Sequence, residues 1–243
     1  MAATGVILIG FIVGHLSGNL QIFEHPDHIN GYAYFLRQLG PLLWVARIVL
    51  LAAVIIHIWA ATALAHDNLR ARGHPPYGAK TWIQASFSSR YVRWTGYIVL
   101  AFVLYHLAHF SFGLVQSRTY KDNLPPYTMA GDYRVLGFSV VKAGTRVPDV
   151  QSMVILGFMN PLVSLFYIVA VGLLSFHLLH GADSLFQTFG WRNDKWSGAL
   201  RKGVTAFCLL YFLGNLIIPG SVLIGAKKLR DGVQPIVAQA PPP

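Results

Sequence analysis

Five long stretches of this chain contain no Asp, Glu, Lys or Arg: Ala2 to Phe23, Ile48 to Ala65, Trp94 to Ser117, Val150 to Ala182 and Gly203 to Ala226. A helix that crosses a bilayer needs about 20 predominantly apolar residues. In hydrocarbon the backbone donors and acceptors must also be satisfied within the segment itself, which leaves a helix as the natural conformation for each stretch. Five spanning helices are therefore predicted. With 54% hydrophobic and 12% charged residues, and a mean hydropathy of +0.50, the chain is too apolar for a soluble domain of its length. The longest polar connections, Arg118 to Asp149 and His66 to Arg93, are too short for a separate soluble catalytic domain. The expected fold class is all-α, an integral membrane up-and-down bundle of five transmembrane helices. It occupies residues 1–226, followed by an irregular tail over 227–243.

Local signals place the boundaries. Glu24, Pro26 and Asp27 end the first span, and Gly40-Pro41 opens the second, since Pro is tolerated at a helix start. Between them Ile29 to Leu39 reads as a short interfacial helix with Tyr32, Tyr34 and Arg37 at head-group depth. Tyr133 to Val141 has strand character and predicts a small hairpin. In the fourth stretch Asn160-Pro161 supplies an N-cap and a first-turn proline, so the spanning helix is expected to begin there. No Lys or Arg precedes Arg37, so the first span lacks the basic leader of a secretion signal and reads as a retained helix. A run that is apolar almost from Met1 also fits a chain continuing upstream. No internal repeat is evident.

Four histidines lie well inside these apolar segments: His15, His57, His106 and His177. An ionisable ring in hydrocarbon is costly and marks a candidate functional site. Each falls in the later half of its helix, and short connections make neighbouring helices antiparallel. His15 should therefore share a level with His106, and His57 with His177, the two levels being separated by roughly 10 to 15 Å at 1.5 Å per residue. Two pairs of neutral imidazoles point to two bis-histidine haems. The single cysteine, Cys208, is intramembrane and no Cys-x-x-Cys-His is present, so such haems would be held by coordination and packing alone. Gly10, Gly14, Gly18 and Gly181 would let a flat macrocycle or a neighbouring helix come close. His109 and His180, three residues after His106 and His177, share their helix faces and are alternative ligands or hydrogen-bond partners. His66 reads as interfacial, and His25, His28 and His74 as solvated.

The formal charge of +10 is scattered over loops and tail, facing lipid head groups or acidic partner surfaces rather than nucleic acid. With the N-terminus inside, nine basic and three acidic residues lie inside, against ten and six outside. This is only a weak preference under the positive-inside rule.

Several stretches in order resemble the single-chain, five-helix, di-haem cytochrome b membrane anchor of succinate:quinone oxidoreductases and fumarate reductases. They are Gly14-His15-Leu16-Ser17-Gly18-Asn19-Leu20-Gln21, Ile29-Asn30-Gly31-Tyr32-Ala33, Tyr105-His106-Leu107, Gly157-Phe158-Met159-Asn160-Pro161, His177-Leu178-Leu179-His180-Gly181 and Ser184-Leu185-Phe186-Gln187-Thr188-Phe189-Gly190. The resemblance runs from about Thr4 to Gly225. It implies haem b ligation by His15, His57, His106 and His177, with His177 preferred to His180 because Gly181 follows it by four residues. It also implies a bacterial cytoplasmic membrane location with the N-terminus on the cytoplasmic side. The implied partners are a flavoprotein subunit carrying FAD, an iron–sulfur subunit, and quinone, menaquinone in many two-haem relatives. A glutamate that serves quinol chemistry in some relatives has no clear counterpart here.

Bis-histidine ligation leaves no open coordination position, so the haems would be electron carriers. Arg90, Arg93 and Lys80 are candidates to meet the inner haem's propionates. Glu24 and His28, with His25 and Asp27, are candidates for quinone-coupled proton transfer near the other haem. The competing readings are a cytochrome b anchor of a hydrogenase or formate dehydrogenase, and a haem-free proton channel or transporter whose histidines relay protons.

Overall fold

The computed structural model describes residues 1–71 and 87–233. In chain order the helices are α1 (Ala2–Leu20), α2 (Pro26–Gln38), α3 (Pro41–Ala71), α4 (Phe87–His106), α5 (Val150–Phe158), α6 (Pro161–Thr188) and α7 (Ser197–Leu223). A 3-10 turn, Gln21–Phe23, prolongs α1, and a π turn, Leu107–Ser111, prolongs α4. Five of these helices, α1, α3, α4, α6 and α7, are long and apolar enough to cross a membrane. The all-α membrane bundle predicted from the uncharged stretches is therefore observed.

The helix starts follow their capping residues. Asn160 Oδ1 accepts from the Leu162 and Val163 amides at 3.0 and 3.4 Å, and Pro161 occupies the first turn of α6, where its missing N–H costs nothing. Asp149 caps α5 through the Ser152 amide at 3.0 Å. Several span ends differ from expectation: α3 runs on to Ala71, α4 starts at Phe87 and α6 runs on to Thr188, and two further differences have a local cause. The third was expected to reach Ser117 but ends at Ser111, because Gly113 turns left-handed (φ 66°) and the Leu114 and Val115 amides fold back onto the Ala108 carbonyl. The fifth begins at Ser197, ahead of the expected Gly203, and takes Arg201 and Lys202 into its first turns. Long basic side chains near a helix end can keep their charge at the membrane surface.

Helix α6 packs between α4 and α7, while α1 packs on α3 and α7. Their common core includes Phe102, Tyr167, Val171, Leu178, Cys208 and Tyr211. Leu42, Val45, Ile48 and Trp59 of α3 face outward. An apolar exterior is what a hydrocarbon solvent permits.

A cap covers the membrane end where α1 and α4 finish. It contains α2 and two antiparallel pairs: β1 (Tyr127–Thr128) with β4 (Arg146–Val147), and β2 (Tyr133–Val135) with β3 (Phe138–Val141), the predicted hairpin. Buried polar groups hold the cap together. The Asp27 carboxylate accepts from the Tyr127 hydroxyl and the Ala130 and Gly131 amides, each at 2.9 Å. Burial alone would raise the Asp27 carboxyl, but these bonds outweigh it and hold it below its ordinary value of 3.8. Burial and the bond to Asp27 push the Tyr127 hydroxyl up to about 12. Asp149, 1% exposed, takes the Arg230 guanidinium at 2.8 Å. The described part of the tail, residues 227–233, is irregular along its backbone, and Arg230 and the buried Val233 anchor it to the cap.

Candidate functional site

The four intramembrane histidines meet in two pairs. The ring centroids of His15 and His106 are 5.7 Å apart at 89°, and those of His57 and His177 are 6.5 Å apart at 63°. This is the pairing that alternating helix direction requires. Two metal–nitrogen bonds of about 2.0–2.1 Å, with the half-width of each ring added, would place imidazole centroids a little over 6 Å apart on opposite sides of one ion. Both pairs lie close to that value.

The His57–His177 pair is supported by threonines that the sequence analysis did not single out. Thr4 Oγ1 lies 3.2 Å from His57 Nδ1, and Thr95 Oγ1 lies 3.2 Å from His177 Nδ1. Both threonines are buried. These contacts also fix levels. Thr4 marks the height of His57 on α1, and Thr95 the height of His177 on α4. Each stands eleven residues before the histidine of the other pair, which is about 16 Å of helix. The separation is slightly greater than the 10 to 15 Å expected.

That spacing exposes a repeat that the sequence analysis missed. Thr4-Gly5 precedes His15-Leu16 as Thr95-Gly96 precedes His106-Leu107, and Pro41 precedes His57 by sixteen residues as Pro161 precedes His177. The pairs α1–α3 and α4–α6 thus repeat one spacing of these residues, and each histidine pair joins matching positions of the two halves. The signal is faint in sequence because only the functional positions repeat.

The alternative ligands point elsewhere. His109 is 3% exposed, donates or accepts at 3.0 Å with the Tyr167 hydroxyl, and stacks on Phe110 at 3.9 Å. A Cβ on Gly157 would lie 3.1 Å from its Nε2, so that glycine makes room for the ring. His180 lines a polar cavity of about 580 Å³ with Asp183, Gln187, Arg192, Arg201 and Thr205. Arg192 pairs with Asp183 at 3.0 Å.

The glycines divide into two groups. Added Cβ atoms on Gly10, Gly14 and Gly181 would meet nothing within 4 Å, whereas one on Gly18 would overlap the Tyr32 ring at 2.5 Å. Gly18 therefore serves the docking of α2 on α1 rather than an open face. The His177 ring packs on α4 beside Gly96, where an added Cβ would meet Cε1 at 3.4 Å, about van der Waals contact.

Arg90 and Arg93 are exposed near the start of α4, at the same end of the bundle as the His57–His177 pair. Lys80 and His74 lie outside the described residues. At the opposite end Glu24 is exposed, with the Lys227 ammonium close enough to feel its charge. His28 is exposed and edge-on to Tyr133 at 6.3 Å. Asp27 is turned into the cap and is committed to structure. Among the described residues no group of three or more His, Cys, Asp and Glu could hold a bare metal ion. The intramembrane histidines come in pairs.

No family model, characterised protein or solved structure matches this chain.

Proposed function

We propose that the protein is a di-haem cytochrome b membrane anchor of a succinate dehydrogenase or fumarate reductase complex. In this reading His57 and His177 hold one haem b, and His15 and His106 the other. The observation that carries it is the presence of two facing imidazole pairs at two depths on equivalent helices. The facing rings and the open sides of Gly14 and Gly181 suit a planar group. When bound, each haem would supply one-electron redox chemistry and so a route along the membrane normal.

The chain's own residues would hold each haem through one pair of histidine ring nitrogens and set the local charge. Arg90, Arg93 and the Arg192 and Arg201 side chains of the polar cavity supply cations at the end of the bundle where one haem's propionates would need them. Glu24 and His28 place two exposed titratable groups at the other end, suited to take up or release protons during quinone chemistry. The resemblance of the histidine-bearing stretches supports the partner assignment: a flavoprotein with FAD and an iron–sulfur subunit on the cytoplasmic face, the chain's N-terminus on that same side of a bacterial inner membrane, and a quinone of the menaquinone type.

The decisive experiment is a pyridine haemochrome assay on the purified membrane protein. Two extractable haem b per chain are expected. Haem-free, folded protein would sink the reading and leave the proton-relay alternative in its place. Co-purification separates the anchors, with succinate-oxidising or fumarate-reducing subunits expected rather than a hydrogenase or formate dehydrogenase.

A further inference from the structure

The geometry points to Thr4 and Thr95 as positioning residues that hold His57 and His177 in a single tautomer with Nε2 free for an axial bond. The inference rests on the haem reading above and concerns residues that do not touch the iron.

Proton accounting at the two hydroxyls carries the argument. Thr4 Oγ1 donates to the Met1 carbonyl at 2.7 Å, and Thr95 Oγ1 donates to the Val92 carbonyl at 2.9 Å. A hydroxyl has one proton and two acceptor lone pairs. With that proton spent on a carbonyl, the 3.2 Å contact to each imidazole is a bond only if the ring donates. Nδ1 must then carry the hydrogen, and a neutral ring has only one to carry. Nε2 is left with its lone pair on both rings. The arrangement occurs twice, at equivalent positions of the two halves, on helices that are not neighbours in sequence.

The second pair lacks this support. His106 Nδ1 is buried and, among the described residues, has no hydrogen-bond partner. The two sites therefore differ in the groups around their ligands although their ligands are alike. A ligating imidazole that donates its second N–H is a stronger electron donor and is fixed in orientation, and loss of such a partner typically costs about 10–100-fold in metal affinity. A better donor favours oxidised iron, so the threonines should lower the midpoint potential of the haem at His57–His177.

The test uses the full chain, as the intact complex, with Thr4→Val, Thr95→Val, the corresponding serine variants and Thr62→Val. Thr62 makes the same hydroxyl-to-carbonyl bond, to Ile58 at 2.8 Å on α3, and serves as the control. Redox titration in the visible and low-temperature EPR are the readouts. Each valine variant should shift one midpoint upward, change the g-values of the same haem and weaken its retention by about tenfold or more. The other haem should be unaffected, serine should restore the wild-type values, and Thr62→Val should change nothing. Wild-type protein without haem would overturn the underlying reading. Two haems with unmoved midpoints and g-values in both valine variants would overturn this inference alone. Loss of both haems together would do the same, since it would show a general packing role.

Discussion

At the residue scale, polar side chains in this molecule are interpretable only through what their protons and lone pairs reach. Asp27 shows the point. It sits beside Glu24, His25 and His28 in sequence, yet its carboxylate is closed off by two amides and a phenol in the cap. Its folded value is depressed, so its contribution to stability is complete above the ordinary 3.8 and fades as pH falls below it. Hydrogen-exchange protection of the Ala130 and Gly131 amides should accordingly be lost in acid before that of the spanning helices. Asp27→Asn should weaken the cap at neutral pH by about 1.5–3 kcal/mol, the range for hydrogen bonds to a charged group. Unchanged protection in that variant would show that the loop is held by its apolar contacts instead. Leu136 makes a contrasting case. It occupies the left-handed region (φ 50°) in a two-residue hairpin turn and is 93% exposed, a place where Asn or Gly is ordinarily found.

At the element scale, apolar content decides that a helix exists, and local chemistry decides where it stops. Asn160-Pro161 and Gly40-Pro41 could be read directly as helix starts because capping is a matter of adjacent residues. The end of α4 could not, since the left-handed Gly113 is packed against Tyr120, with 2.5 Å between an added Cβ and that ring. The π turn before it brings His109 inward to hydrogen-bond the Tyr167 hydroxyl, whereas His106, one turn earlier, meets the His15 ring. The junction of α1 and α2 has its own expected behaviour. Glu24 and His28 flank the start of α2 on its exposed side, so Glu24→Gln and His28→Ala should slow quinone-coupled turnover while leaving haem content intact. Wild-type rates in both variants would remove Glu24 and His28 from the proposed quinone chemistry.

At the scale of the whole molecule, the residue spacing shared by α1–α3 and α4–α6 organises the site. It predicts the result of removing each ring. His57→Ala and His177→Ala should abolish one and the same spectral component, and His15→Ala and His106→Ala the other. His109→Ala and His180→Ala should retain both. A spectrum in which His57→Ala and His106→Ala lose the same component would break the pairing. On the proposed haem reading each of these replacements removes a metal ligand, so loss of most of the affected haem is expected in each case.

The sequence alone was enough to determine five spans, the capped start of α6, the hairpin and the pairing of histidines by level. These depend on local composition and on the fixed rise of a helix, which need no knowledge of neighbours. The tertiary structure decided which groups serve the site. Thr4 and His57 are 53 residues apart, and Thr95 and His177 are 82 apart. No local pattern joins them. The same is true of Arg230, which crosses 81 residues to reach Asp149, and of Asp27, which turns toward Tyr127 rather than water. A hydrogen bond or a packed ring is a relation between surfaces that meet only when helices pack. The composition of each helix therefore determines that it enters the membrane, while its partners determine what its polar residues do there.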